Sequence, residues 1–289
     1  MKKLIVAASA AVAIMMSSSA LAGPFIIDGT DADDHGFASG GANQDGWLYI
    51  QRAVENIAVG ASLSRQQKTI AVLGSNLGFD AGNAAQSAVA LSSTLSSAGW
   101  TVVLLNDAEI TGFFTNTGSG LLSTGASILY MDSGINNVGG GISSSEQALI
   151  DGFATEINAF VGSGGGLFSM AQGYGWLTSL IPGLAAINSS GSSISLTAAG
   201  SAAFPGLTNA DLSSGPHHKY FENVGILPIL GTRTSGGQAI ILGGAGGSII
   251  DPTPGAVPES STWMMMIVGF GAIGGAMRYR RRKINVTYA

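Results

Sequence analysis

The chain contains no cysteine in its 289 residues. This absence excludes a disulfide framework, a thiolate metal site and a cysteine nucleophile. Charged side chains are also scarce, at 10% of the sequence. Between the two ends, residues 23–257 hold five Lys or Arg against sixteen Asp or Glu, a net charge of −11. Without a basic patch to hold a phosphate backbone, nucleic-acid binding is excluded.

The first 22 residues have the organisation of a secretory signal peptide. Lys2 and Lys3 precede an apolar stretch at residues 4–16, and Ala20-Leu21-Ala22 forms a small-x-small cleavage site. We therefore expect signal peptidase to cut between Ala22 and Gly23. The apolar stretch is short for an N-terminal membrane anchor, so the pattern predicts an exported protein.

The C-terminal end combines a short polar motif, an apolar stretch and a basic cluster. Residues 262–277 carry no charge and would span about 24 Å as a helix. That is short for a hydrocarbon core of about 30 Å, and snorkelling arginines make up part of the difference. The basic cluster at 278–283 should stay cytoplasmic by the positive-inside rule. A single transmembrane helix is therefore predicted at 262–277.

This end resembles the PEP-CTERM sorting tail of Gram-negative bacteria that make extracellular polysaccharide. The residues that carry the resemblance are Pro258, Glu259, Trp263, Gly269, Phe270, Gly271, Arg278, Arg280, Arg281 and Arg282. It implies that an exosortase, a membrane cysteine protease, cuts near Pro258 and Glu259 after a transient inner-membrane stage. The product would then be released or transferred to the cell surface. Ser260 departs from the family pattern, which has a second proline there, and a plain membrane anchor remains the alternative.

Between the two ends, short apolar strand candidates alternate with helical stretches. Strands are predicted at residues 69–74, 101–105, 127–131, 166–170, 226–230 and 239–242, and helices at 45–59, 83–98 and 143–162. Ser143 and Glu146 form a capping box at the start of the last helix. Alternating strands and helices predict a three-layer α/β domain with a mainly parallel sheet at residues 68–247. An acidic entry segment (23–67) precedes this domain, and a proline-containing linker (248–257) joins it to the sorting tail (258–283).

The α/β segment resembles the class I glutamine amidotransferase-like fold, a flavodoxin-like arrangement. The likeness rests on the strand-helix order, the triple glycine before the strand at 166–170, and the segments 204–207 and 215–221. It implies a cysteine nucleophile after that strand, but no cysteine exists and Ser169 lacks the flanking glycines of a nucleophile elbow. His217 is followed by His218 where the family has a His-x-Glu pair. Glutamine hydrolysis is therefore not expected.

Polar residues expected at the carboxyl ends of the strands are the candidates for chemistry, since ligands of open α/β sheets bind there. Asp132 with His217 or His218 would form an acid-base pair. The competing interpretation is that histidines in a loop face solvent or bond to backbone. A non-catalytic binding domain is the favoured prediction, and an envelope hydrolase using these residues is the alternative.

An acidic loop near the mature N-terminus offers a different kind of site. Asp28, Asp31, Asp33 and Asp34 lie within eight residues of His35. Carboxylate oxygens suit Ca²⁺, although the spacing does not match an EF-hand loop. An Asp-rich turn that caps backbone amides, or an active-site loop, would have the same composition. No other cofactor is predicted.

Together these patterns predict an exported cell-envelope or extracellular-matrix protein. Its expected partners are signal peptidase, an exosortase-like protease and extracellular polysaccharide.

Deleting residues 258–283 should abolish envelope retention and send the protein into the medium, because the tail is the predicted anchor. Intact-mass measurement of envelope and medium fractions checks both ends: the processed wild type should begin at Gly23 and end near Pro258. Envelope retention of the truncated chain would contradict the anchoring role. A wild-type mass running through Ala289 would favour a plain membrane anchor.

Overall fold

A computed structural model of the chain describes residues 24–64, 67–74, 80–115, 125–132, 142–170, 175–191, 193–213 and 217–244. All of them belong to a compact unit that spans residues 1–250. The predicted signal peptide, linker and sorting tail lie outside the described residues.

The described elements alternate between strands and helices over most of the chain. The strands are β1 (Phe25–Asp28), β2 (Gly36–Ser39), β3 (Ala42–Gln44), β4 (Thr69–Leu73), β5 (Thr101–Leu105), β6 (Ile128–Met131), β7 (Gly166–Met170), β8 (Ala185–Gly191), β9 (Ile194–Leu196), β10 (His217–Glu222), β11 (Ile229–Arg233) and β12 (Ala239–Gly244). The helices are α1 (Asp45–Ser64), α2 (Asp80–Leu91), α3 (Ser93–Ser97), α4 (Asp107–Thr115), α5 (Ser144–Gly152), α6 (Ala154–Gly162), α7 (Leu177–Leu180) and α8 (Ala198–Ala203).

Ten of the strands form one sheet, in the order β5-β4-β6-β7-β1-β12-β10-β8, with β11 on β12 and β9 on β11. The five strands from β5 to β1 run parallel, and β12, β10 and β8 continue the sheet in antiparallel pairing. The predictions of an α/β fold and of a mainly parallel central sheet are confirmed. The antiparallel half contains five strands, β8 to β12, whereas the sequence predicted only two strands in this part of the chain, at 226–230 and 239–242.

The parallel strands are apolar on both sides because both faces of the sheet are covered. Ile70 and Val72 of β4 belong to a hydrophobic cluster with α1, α2 and α3, whereas Ala71 and Leu73 belong to a second cluster with α4, α5 and α6. Successive side chains of a strand point to opposite faces, so the two clusters lie on opposite sides of the sheet. Continuous apolar sequence is the expected pattern for such a doubly covered strand.

The entry segment is part of this sheet. β1 lies between β7 and β12, with Ile26 in one cluster and Phe25 and Ile27 in the other. The helix α1, predicted at 45–59, extends to Ser64 and packs in the same cluster as Ile26. Residues 24–64 therefore supply a central strand and a covering helix.

Two predicted helices are each divided. Ser92 interrupts the helix predicted at 83–98 because its side chain accepts a hydrogen bond from Leu95 N (3.1 Å) and caps α3. Phe153 separates α5 from α6, while the predicted capping box of Ser143 and Glu146 is confirmed. The strand predicted at 226–230 is shifted: Ile226 is 66% exposed in a turn, and β11 begins at Ile229.

Gly29 fixes the spacing between the end of β1 and the strands beside it. Its N–H donates to Ile240 O (3.0 Å), and its carbonyl accepts from His218 N (2.7 Å) and Lys219 N (3.1 Å). A Cβ at Gly29 would lie 2.1 Å from Lys219 O, far inside van der Waals contact. A side chain here therefore cannot be accommodated without moving β1 away from β10.

We expect Gly29→Ala to destabilise the fold by about 3 kcal/mol or more, because backbone atoms must shift to relieve the clash. Urea unfolding of the purified chain measures this. Gly152→Ala is the matched control, since a Cβ there meets nothing within 4 Å; it should be neutral or stabilise by up to about 1 kcal/mol. Equal stability of the two variants would contradict the tight approach.

Candidate functional site

Four buried carboxylates gather at the carboxyl ends of β1 and β6. Asp28 ends β1, Asp31 and Asp33 follow in the next loop, and Asp132 directly follows β6. Only β7 separates these two parallel strands, so their carboxyl ends meet at the same edge of the sheet. All four side chains are buried, with at most 3% of each residue exposed.

The loop after β1 folds around the carboxylate of Asp28. Its Oδ1 accepts hydrogen bonds from the N–H and the Oγ1 of Thr30, both at 2.7 Å. Its Oδ2 is 2.8 Å from the hydroxyl of Tyr49 on α1. An aspartate that bonds the backbone two residues further on forms a tight turn, which brings the chain back across the end of the sheet.

The same loop is also attached to the start of α1. Trp47 donates its indole N–H to Asp33 O (2.7 Å), and Gly46 N donates to His35 O (3.0 Å). A Cβ at Gly46 would lie 2.1 Å from Ala32 O, so glycine permits this close packing. These contacts hold residues 31–35 between the sheet edge and the helix.

Asp31 contacts two histidines. Its Oδ2 lies 2.8 Å from Nε2 of His218 and 3.6 Å from Nε2 of His35. The side chain of Asp31 is 4% exposed, against 25% for His218 and 35% for His35. The Oδ1 of Asp31 is buried and has no hydrogen-bond partner among the residues that the structure describes. The histidines therefore lie between the buried carboxylates and solvent.

Asp33 and Asp132 form a carboxyl pair. The two carboxyl groups are close enough to affect each other's ionisation. Burial raises the pKa of Asp33 well above its usual value, and the neighbouring charge of Asp132 raises it further. The pair thus retains a proton at a pH where an exposed aspartate has lost it.

Asp28 is also shifted towards its neutral form. Burial raises its pKa from 3.8 to about 7, against the opposing effect of the hydrogen bonds from Thr30 and Tyr49. Burial and then the charge of Asp28 raise the pKa of Tyr49 above its usual value. We call Asp28, Asp31, Asp33, Asp132, His35 and His218 the acid-histidine cluster; near neutral pH it carries fewer negative charges than its four carboxylates suggest.

Aromatic rings supply the apolar surroundings of the cluster. Tyr49 meets Phe168 and Phe204 edge-on, with centroids 6.1 and 5.4 Å apart, and Tyr130 lies 5.0 Å from Phe168. All four are fully buried in the hydrophobic cluster beneath α1. This low-dielectric layer disfavours ionised carboxylates, which explains the direction of the shifts.

The structure places several of the predicted site residues in the same cluster. His218 contacts Asp31, and Asp132 interacts with Asp33. The predicted pairing of Asp132 with His217 or His218 stays a prediction. His217 is the first residue of β10, and its side chain lies outside the described part. Asp34 is half-buried next to the cluster. The proposed processing and sorting residues, from Ala22 and Gly23 to Pro258, Glu259 and the tail, also lie outside the described residues.

The suggested Ca²⁺ site remains a prediction. Within the described ranges, no group of three or more His, Asp or Glu side chains is arranged to hold a metal ion. Sequence reasoning missed Tyr49 and Thr30 as partners of Asp28. Thr30 could have been found from the Asp-x-Thr turn pattern, but Tyr49 is one of several apolar positions on α1 and carries no distinguishing signal.

Comparisons with protein-family models, with curated proteins and with solved structures find no match to this chain. Among the helices of the described part, none is long and apolar enough to cross a membrane. The apolar helix predicted at 262–277 lies outside that part.

The raised pKa of Asp28 predicts a specific pH dependence of stability. Between pH 3.8 and about 7 the folded chain keeps a proton on Asp28 that the unfolded chain has released. The free energy of unfolding therefore falls as pH rises through this range, and the loss is complete above about pH 7. Asp28→Asn mimics the neutral form and removes that loss. The variant should gain stability over wild type as pH rises, by on the order of 4 kcal/mol at pH 8.

Urea unfolding at a series of pH values from 4 to 8 measures the difference. Asp45→Asn, the same chemical change at the start of α1 but outside the cluster, should give no comparable gain. Parallel pH profiles for wild type and Asp28→Asn would show that Asp28 ionises normally in the folded state.

Proposed function

We propose that the chain is an exported cell-envelope or extracellular-matrix protein, sorted by its PEP-CTERM-like tail, whose domain binds polysaccharide without cleaving it. The domain is taken as a three-layer, amidotransferase-like α/β fold that has lost the family's nucleophile. Support for export and sorting comes from the two ends of the sequence: a signal peptide pattern, and an apolar segment between Pro258-Glu259 and the basic cluster. Support for binding comes from the acid-histidine cluster.

The observation that carries the binding role is the position of buried carboxyl groups and two partly exposed histidines at the edge of the sheet where ligands of such folds bind. Burial raises the pKa of Asp28 to about 7 and the pKa of Asp33 well above its usual value, which favours the neutral form of both carboxyl groups. Carboxyl groups in this state act as hydrogen-bond donors as well as acceptors. Sugar hydroxyls also donate and accept, so the cluster matches a neutral, hydroxyl-rich ligand.

The net charge of the domain limits the class of polymer that it can bind. An anionic polymer is disfavoured by the net charge of −11 on residues 23–257. A neutral polysaccharide is the class of polymer that this charge permits.

The second candidate is an envelope hydrolase, for which the sequence suggested Asp132 with His217 or His218. One observation favours it: His218, 25% exposed, lies 2.8 Å from the buried carboxylate of Asp31, close to carboxyl groups of raised pKa. An oriented histidine and a protonated carboxyl group are the usual components of general base and general acid catalysis. In this version His218 would be oriented by Asp31, and the Asp33–Asp132 pair would supply the proton.

Binding and turnover on the neutral polysaccharide fraction of the native host separate the two candidates. Asp31→Asn should weaken co-sedimentation with the polymer by about tenfold or more, because it changes the hydrogen bond to His218 and the contact with His35. Asp45→Asn is the matched control and should bind as wild type does. New reducing ends should not appear with any variant.

Equal binding by Asp31→Asn and Asp45→Asn would contradict a ligand site at the cluster. Release of reducing ends by wild type, abolished in His218→Asn while the fold is retained, would establish the hydrolase instead. Addition of Ca²⁺ with and without a chelator tests the metal prediction in the same assay.

A further inference from the structure

The strand β5 forms one edge of the ten-stranded sheet. Within the described residues its only strand partner is β4, in parallel register from Thr69–Thr101 to Leu73–Leu105. Thr101 and Leu104 are exposed, with Leu104 at 38%, and Val102 and Val103 are partly buried. Among the described strands, none pairs with the other edge of β5.

The hydrogen bonds to β4 show which backbone groups point outward. Thr101 N donates to Lys68 O (2.8 Å), and Leu105 O accepts from Gly74 N (2.9 Å). In a parallel ladder alternate residues bond to the same neighbour, so Thr101, Val103 and Leu105 face β4. The N–H and C=O groups of Val102 and Leu104 therefore point away from the sheet, and they form a short row of two donors and two acceptors.

This edge lacks the usual protection against strand pairing. Edge strands of soluble proteins are commonly blocked by a charged residue, a proline or a bulge. β5 reads Thr-Val-Val-Leu-Leu, without charge or proline, and its register with β4 is unbroken. β-branched and apolar residues also favour further strand pairing.

We propose that β5 is a self-association edge, at which two copies of this chain pair their β5 strands antiparallel about a two-fold axis at Val103. In this register Val102 of each copy faces Leu104 of the other, so the outward row of one copy matches that of its partner. Four backbone hydrogen bonds form, two for each facing pair. Both copies use the same patch, so the contact closes as a dimer.

The charges at the two ends of β5 favour this antiparallel arrangement with a second copy. At the amino end, Lys68 donates its ammonium to Ala98 O (2.7 Å) and is exposed. At the carboxyl end, Asp107 and Glu109 are exposed in the first turn of α4. Antiparallel pairing brings the amino end of one strand beside the carboxyl end of the other, so each Lys68 approaches the acidic turn of the partner.

The absence of cysteine makes this geometry directly testable by disulfide trapping. Val103 lies on the proposed axis and would face its own copy in a non-hydrogen-bonded pair, where Cβ atoms are about 4.5–5.5 Å apart. That spacing is close to what a disulfide needs. The full chain carrying Val103→Cys, in detergent under mild oxidation, should therefore form a covalent dimer.

Thr101→Cys is the matched control. The two copies of residue 101 would lie four residues apart along the pair, about 13 Å, which is too far for a disulfide. Adding Leu104→Lys to Val103→Cys should slow cross-linking about tenfold or more, since it places a charge on the pairing edge without touching the β4 ladder. All these variants carry the same C-terminal tail. Association through the tail therefore cannot explain a difference in cross-linking rate between them.

Sedimentation of the full chain without cysteine substitutions provides the second measurement and does not depend on how well Val103→Cys folds. Wild type should show a concentration-dependent dimer that Leu104→Lys lacks. Cross-linking of Val103→Cys no faster than Thr101→Cys would overturn the proposal. So would identical association of wild type and Leu104→Lys, which would indicate another interface or a monomer.

Discussion

Burial of the Asp28 carboxyl group at the end of β1 is the constraint on which the site depends. The carboxylate is fully buried, and burial alone would leave an expensive unpaired charge. Thr30 and Tyr49 satisfy its oxygens, and these bonds turn the chain back over the sheet edge and attach it to α1. That turn places Asp31 and Asp33 against β6 and β10. The same hydrogen bonds of Asp28 therefore shape the site and attach α1 to the end of β1.

The energetic consequence is a site that holds protons where exposed carboxylates would not. An aromatic layer of Tyr49, Tyr130 and Phe168 lies beneath it, and His35 and His218 lie on its solvent side. Such an arrangement stores neutral carboxyl groups, which are suited to exchange hydrogen bonds with hydroxyls or to donate a proton. The binding and hydrolytic proposals differ only in whether His218 reaches a reacting group. Both proposals depend on the raised pKa values of Asp28 and Asp33.

Much of the parallel half of the fold was predictable because its signals are local. β4, β5, β6 and β7 are short apolar runs, and the Ser143 and Glu146 cap marks the start of α5. The antiparallel half was mostly missed, since β8 reads Ala-Ala-Ile-Asn-Ser-Ser-Gly and alternates only weakly between partly buried and exposed positions. β8 forms as a strand because it pairs with β10, and β9 forms because it pairs with β11. The hairpin of β2 and β3 was missed for a related reason: it turns at Gly40 and Gly41, both at positive φ, and Asn43 of β3 donates a side-chain hydrogen bond to Gln51 of α1 (2.8 Å).

The sequence by itself determined the acidic loop, the mainly parallel sheet predicted from alternating strands and helices, and the two terminal patterns that predict export and sorting. These depend on composition and on residues close together in the chain. Only the tertiary structure decided which carboxylates meet. Asp31 and His218 are 187 residues apart and become neighbours because β12 pairs with both β1 and β10, and Gly29, just after β1, allows the start of β10 to approach closely. No local pattern encodes that contact, because it depends on the order and spacing of strands that pair only in the folded sheet.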